Sequence, residues 1–168
     1  ANWSVYKKAN EQKLKVLLNG QGADEVFAYD YMAAFYFYEL YRKLKWFKLL
    51  REIYLFSKKQ LEAKFTLKLF AFLVVPSFLK NKLIKISDPL INSDFFNKNS
   101  KKSNFHKVFF ESKSLNENVK QHLLMKLHHL LREEDKNSMY FGVESRVPFL
   151  DDELVEFALN ITSKFKVN

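Results

Sequence analysis

Apolar residues recur at helical spacing along much of the chain. Phe35, Tyr38, Tyr41 and Arg42 share one such face, and Leu49, Leu50, Ile53, Phe56, Gln60 and Leu61 continue a stripe of period 3.6. Asp24 and Glu25 precede this pattern, and acidic residues suit the positive end of a helix dipole. The prediction is a helical run from residue 26 to about residue 50. Leu123, Leu124, Leu127, Leu130 and Leu131 form another stripe and predict a helix starting near Asn118. Leu154, Val155, Phe157, Ala158 and Ile161 supply the buried face of a helix over residues 153–160, with Asp151 or Asp152 as its cap. Residues 15–18 (KVLL) break the helical pattern and read as a short, largely apolar strand. Ser87-Asp88-Pro89 reads as a turn, and the polar stretch 92–103 as a loop. There is no internal repeat and no domain linker.

Composition fits a compact domain. The chain has 168 residues, and 48% are apolar, enough for a sizeable core. Only three glycines and three prolines favour long helices over turns. The absence of cysteine excludes disulfides and thiolate metal sites and fits a reducing cytoplasm. The opening stretch ANWSVYKKANEQK is polar and lacks the apolar core of a signal peptide. The longest greasy stretch, residues 69–75, ends at Pro76, far short of the ~20 residues a membrane span needs.

Charge raises a nucleic-acid reading. The formal net charge is +9, and Lys43, Lys45, Lys48, Lys58, Lys59, Lys64 and Lys68 interleave with Trp46, Phe47, Tyr54 and Phe56. Such a helix can track phosphates. No recognition motif accompanies the charge, so the preferred reading is a set of solvated helix faces without a nucleic-acid partner. The abundance of Phe, Lys, Asn and Ile also matches an AT-rich coding sequence. His122, His128 and His129 do not form a His-Glu-x-x-His pattern, and His122 and His128 are off one face. They are expected at the surface, and His106 stands alone.

Two stretches carry chemistry. In Asn19-Gly20-Gln21-Gly22-Ala23-Asp24-Glu25, glycines two apart allow a tight turn and close backbone approach to a ligand. There is no third glycine for a dinucleotide fingerprint and no Lys-Ser/Thr for a P-loop, so a plain strand-to-helix turn is an equal reading. Residues 131–151 (LREEDKNSMYFGVESRVPFLD) crowd Arg132, Glu133, Glu134, Asp135, Lys136, Glu144 and Arg146 around small, polar and proline positions. That pattern suits a pocket gripping a charged substrate better than a core helix. Glu144 and Arg146 also read as a structural ion pair orienting a Val147-Pro148-Phe149-Leu150 packing anchor.

The second stretch resembles the asparagine synthase signature R-x-x-D-x-x-S-M-x-x-x-x-E-x-R-V-P-F-L-D. The matches are Arg132, Asp135, Ser138, Met139, Glu144, Arg146, Val147, Pro148, Phe149, Leu150 and Asp151. The first looks like that family's S-G-x-G-x-D-E-x-F motif. Asn19 replaces the usual Ser, and Ala28-Tyr29 replaces the usual Gly-Gly after the Phe. The resemblance implies a mostly α portion of an α/β synthetase domain of the adenine-nucleotide alpha-hydrolase-like (ATP pyrophosphatase) class, with at least one parallel strand. It implies ATP and Mg²⁺, adenylation of the aspartate side chain, and displacement of AMP by ammonia derived from glutamine. Gly20 matches the position whose backbone lies against the nucleotide, with Asn19 and Gly22 beside it. Asp24 matches the Mg²⁺ carboxylate. Gln21 sits where some members carry Glu in the acyl pocket, and Glu144 and Arg146 match an acidic-basic pair lining it. The helix ending the leucine stripe would deliver Arg132 and Asp135 to that pocket.

Other family elements are absent from the sequence. These are the Ser-Gly-Gly-x-Asp-Ser pyrophosphatase loop, expected before Ala1, a catalytic Lys, expected after Asn168, and a glutaminase domain with its N-terminal Cys. Residues 1–168 therefore read as a single partial synthetase domain, inactive alone, with the glutaminase domain elsewhere in the parent chain. A cytoplasmic location and a homodimer are further expectations. Gln21 and Ala28-Tyr29 leave open a relative that forms another amide or a lactam. A non-catalytic basic helical module is the third alternative.

Overall fold

A computed structural model describes residues 2–59, 63–76, 79, 80, 95, 98, 99 and 110–167. The turn expected at Ser87-Asp88-Pro89, most of the expected loop 92–103, and Gln60, Leu61 and His106 lie outside the described residues. The chain divides into two compact units. One joins the N-terminal stretch up to Tyr29 to Val119–Lys166, and the other is drawn from Asp30–Asn118. The described residues are mostly helical and include a two-stranded parallel sheet, as the α-rich α/β reading expects.

The first unit opens with α1 (Asn2–Glu11), which buries Tyr6 and Ala9. Lys13, at φ 58, turns the chain out of the helix, and the Leu14 amide donates to the Ala9 carbonyl at 3.0 Å. β1 (Val16–Leu18) then runs parallel to β2 (Glu144–Arg146), in the register Val16–Glu144, Leu17–Ser145 and Leu18–Arg146. Parallel partners need a long crossover, and residues 19–143 lie between these two strands. Tyr6, Ala9 and Val143 form the core beneath them, with Leu17 and Phe141 packed on it. Trp3 packs tilted against Tyr140 at 4.5 Å and edge-on against Phe141 at 4.7 Å, ring centre to ring centre.

A short helix, α2 (Ala23–Phe27), follows the glycine turn. The return path into this unit is one long helical stretch: α6 (Leu115–Gln121), a π-helical turn (His122–Leu127) and α7 (His128–Tyr140). The expected start near Asn118 lies within α6. Gly142, at φ 60, ends α7 in a Schellman motif: its amide donates to Met139 O, and the Val143 amide donates to Ser138 O, both at 3.0 Å. That turn aims the chain directly into β2. A 3-10 turn (Pro148–Leu150) leads to α8 (Asp152–Asn160), and a final turn is α9 (Lys164–Val167). Asp151 caps α8 as expected, its carboxylate accepting the Glu153 and Leu154 amides. The buried face of α8 is narrower than the stripe implied: Ala158 is fully buried, whereas Phe157 is exposed.

The second unit corrects the expected continuous helix from residue 26 to about 50. The chain leaves α2 at Ala28, makes a 3-10 turn (Asp30–Met32), forms α3 (Ala33–Arg42), turns again, and continues as α4 (Trp46–Lys59). The breaks occur at Ala28 (φ 77) and Leu44 (φ 55), non-glycine residues with positive φ that periodicity does not flag. α5 (Ala63–Val74) completes a three-helix cluster around α3. Ala33, Ala34, Phe35, Tyr36, Phe37 and Leu40 are buried. Phe37 meets Phe56 of α4 and Phe70 of α5 edge-on, at 5.6 and 6.0 Å, and burying such a ring contributes ~1.5–3 kcal/mol. Leu49 and Phe56 face inward with Glu52, while Leu50 turns outward. The lysines singled out by sequence, Lys43 to Lys68, are exposed.

Candidate functional site

The glycine turn begins where β1 ends. The Asn19 amide donates to the Arg146 carbonyl at 2.8 Å, extending the strand pairing by one step. Asn19 Oδ1 then accepts the Gln21 amide at 3.0 Å, a local side-chain-to-backbone turn typical of Asn. The two glycines differ. Gly22 adopts φ 95, and a Cβ there would lie 2.3 Å from Leu150 Cδ2, so glycine is required both by backbone conformation and by close packing. Gly20 has no atom within 4 Å of the place a Cβ would take, so its missing side chain leaves open space. That space adjoins a cleft of about 230 Å³ lined by residues of α1, β1, Asn19, Gly20 and Glu134.

Glu134 is the charged group in this cleft, and sequence reading did not single it out. It is buried to 4% exposure on α7. Tyr6 Oη, Asn2 Nδ2 and Asn19 Nδ2 all donate to its carboxylate. Ser145 Oγ of β2 lies 2.9 Å from Tyr6 Oη. Burial, and then the neighbouring Glu134, raise the Tyr6 hydroxyl above its ordinary value, which keeps it a donor. The signal was present in the sequence: Glu134 and Ser138 continue the helical face of Leu127, and both are buried. By contrast Arg132 and Asp135, expected at the pocket, are exposed and do not line the cleft.

The other expected site residues fall as follows. Gln21 is half-buried and Asp24 is exposed, in the first turn of α2. Glu144 and Arg146 sit on β2 as an exposed ion pair, with Arg146 Nε donating to Glu144 Oε1 at 2.7 Å. Glu144 holds the guanidinium pKa above its ordinary value. Arg146 is joined to the turn through its backbone bond to Asn19, and Glu144 follows it two residues back along the strand. The anchor Val147-Pro148-Phe149-Leu150 reaches the turn through Leu150, while Phe149 is partly exposed. Among the described residues no group of three or more His, Asp or Glu side chains gathers as a metal cluster. A Mg²⁺ ion carried on a nucleotide takes one or two carboxylates plus phosphate oxygens, so a single exposed Asp24 fits that arrangement and does not fit an all-protein cage.

A second polar cluster lies behind α2. Glu25 is buried, accepts a hydrogen bond from Tyr29, and has Lys126 Nζ 3.8 Å away. Lys126 also donates to Tyr29 Oη at 3.0 Å and stands 4.3 Å over its ring. His122 packs 6.0 Å from that ring and is fully buried, which corrects its expected surface position. Burial, and then Lys126, push its pKa down to about 3, so it is neutral at neutral pH. His128 and His129 are exposed, as expected.

The family model described as asparagine synthase matches residues 1–168. The chain belongs to the asparagine synthase family. No curated protein and no solved structure matches it. Membership makes this an asparagine-synthase-like synthetase domain of an ATP-using ligase family with small-molecule substrates. The open face at Gly20 and the strand-to-helix turn thus lie in a family that handles a nucleotide. No helix among the described residues is long and apolar enough to cross a membrane.

Proposed function

We propose that this chain forms part of the synthetase site of an ATP-dependent amide ligase that converts aspartate to asparagine. The reading rests above all on Gly20, whose side-chain position is open space beside a cleft at the end of a parallel strand. In open α/β sheets, ligands bind outside the carboxyl ends of strands. The Gly20 backbone lies against the nucleotide, with Asn19 and Gly22 setting its turn. Asp24 would hold Mg²⁺, which would supply charge neutralisation on the pyrophosphate. Gln21, Glu144 and Arg146 line the acyl pocket. An aspartate side-chain oxygen attacks the α-phosphorus and pyrophosphate leaves. Ammonia then attacks the acyl carbon, AMP leaves with the bonding pair, and a proton is lost. The carboxylate is a poor acyl donor and AMP a good leaving group, so activation removes most of the chemical difficulty. Ammonia comes from glutamine through a glutaminase domain of the parent chain, in a cytoplasmic, homodimeric enzyme.

One observation favours a second reading. Gln21 is neutral and half-buried where some members carry Glu, which suits a different acceptor carboxylate, forming another amide or a lactam.

ATP–pyrophosphate exchange on the longest reading frame containing this segment tests both. Aspartate-dependent exchange that vanishes in Asp24→Ala is the expected result. Exchange only with another carboxylate moves the assignment to the second reading. Absence of ATP binding at full length sinks the ligase and leaves a helical scaffold.

A further inference from the structure

Glu134 is a buried carboxylate with no Lys, Arg or His in ion-pair range among the described residues. Removing such a charge from water is costly unless hydrogen bonds replace the lost hydration. Three neutral donors do so here: Tyr6, Asn2 and Asn19. A hydrophobic residue would fill this place at lower cost if packing were all that mattered.

The arrangement around Asn19 indicates what the charge does. An ionised carboxylate only accepts hydrogen bonds, whereas an Asn amide has a donor end and an acceptor end. Glu134 therefore forces Asn19 to turn its nitrogen toward α7. Asn19 Oδ1 is then left facing the Gln21 amide, which it accepts at 3.0 Å. With its amide reversed, Asn19 would set an oxygen against the carboxylate and a nitrogen against the Gln21 N–H. One buried charge thus selects the amide orientation that closes the turn over residues 19–21. Tyr6 ties the same carboxylate to β2 through Ser145.

We propose that Glu134 is a positioning residue: acting through the Asn19 amide, it fixes the backbone of the Gly20–Gln21 turn that faces the nucleotide and acyl group. The proposal rests on the ligase reading for what the turn binds, but not for the coupling itself.

The test uses the full reading frame, uniformly labelled with ¹⁵N. In the unmodified protein the Asn19 side-chain NH₂ and the Gln21 amide should exchange with solvent at least ~10-fold more slowly than free groups. Exchange at the free rate at either position overturns the proposal without any variant. In Glu134→Gln, which keeps the shape and introduces a competing donor, Gln21 protection should fall ~10-fold, while amides of the Phe37 helix are unchanged. Adding Asn19→Asp to Glu134→Gln restores a donor–acceptor match and should recover the protection. A folded Glu134→Gln protein with unchanged Gln21 exchange, or a folded double variant without recovery, also overturns it. Where exchange activity is present, Glu134→Gln should raise the ATP KM several-fold with kcat little changed. If no adenylation is detected at all, the ligase reading fails, and the amide measurements still decide the coupling.

Discussion

Ala28 holds φ 77 and ψ 138, a conformation that side chains rarely adopt, where the family motif carries glycine. Strain of this kind costs ~1–3 kcal/mol, and glycine recovers it less ~0.4–1 kcal/mol for its looser unfolded chain. Ala28→Gly should therefore stabilise the protein by about 1 kcal/mol in urea unfolding; no gain would mean the position is unstrained. His122 makes a pH prediction. Its folded pKa is depressed from 6.5 to about 3, so the folded state binds fewer protons than the unfolded one between those values. Its contribution is complete above pH 6.5 and falls as pH drops, by about 1.4 kcal/mol per unit. Melting temperature should decline from pH 7 to pH 5 more steeply in the wild type than in His122→Leu. Single residues were unevenly legible in the sequence. Gly20 and Gly22 stood out as two glycines directly after a strand, although the turn's conformation and packing require only Gly22. His122 was misread because its histidine neighbours drew attention from Leu115 and Val119, whose helical face it continues. Glu134 was lost among adjacent charges, although the helical period set it on the buried side.

At the level of elements, apolar period located the helices but not their ends. The chain breaks at Ala28 and Leu44 without Gly or Pro, so no local composition marked the stops. β1 was legible as KVLL, whereas β2 is Glu-Ser-Arg and has no apolar alternation; its strand character comes from pairing with β1. The Asp151 cap was legible because the aspartate precedes an apolar-periodic run. Asp151→Ala should destabilise α8 by ~1 kcal/mol. Thermal melting checks this, and Asp151→Asn should retain most of the stability because an amide oxygen still accepts both N–H groups.

Across the whole molecule, the fold class was readable from helical period plus one strand, and the family from two motifs far apart in sequence. How those motifs meet was not, because the Leu150 contact with Gly22 depends on tertiary approach. The sheet also carries information at this scale. Val16 is 40% and Leu18 77% exposed, although parallel strands are normally covered on both faces. The protein should therefore bind a hydrophobic dye, and Val16→Thr with Leu18→Thr should bind it less. Equal binding by the variant would mean that these strands do not present the apolar surface.

The contact between Gly22 and Leu150 has a consequence for descent. A single missing methyl group at one motif makes room for the isobutyl group of the other, so the two cannot drift independently. A chimaera whose crossover falls between them inherits a matched pair only when both parents keep the same bargain of sizes. Breakpoints in shuffled libraries from divergent parents should therefore survive best outside the interval from residue 22 to residue 150, even though most of that interval touches neither motif.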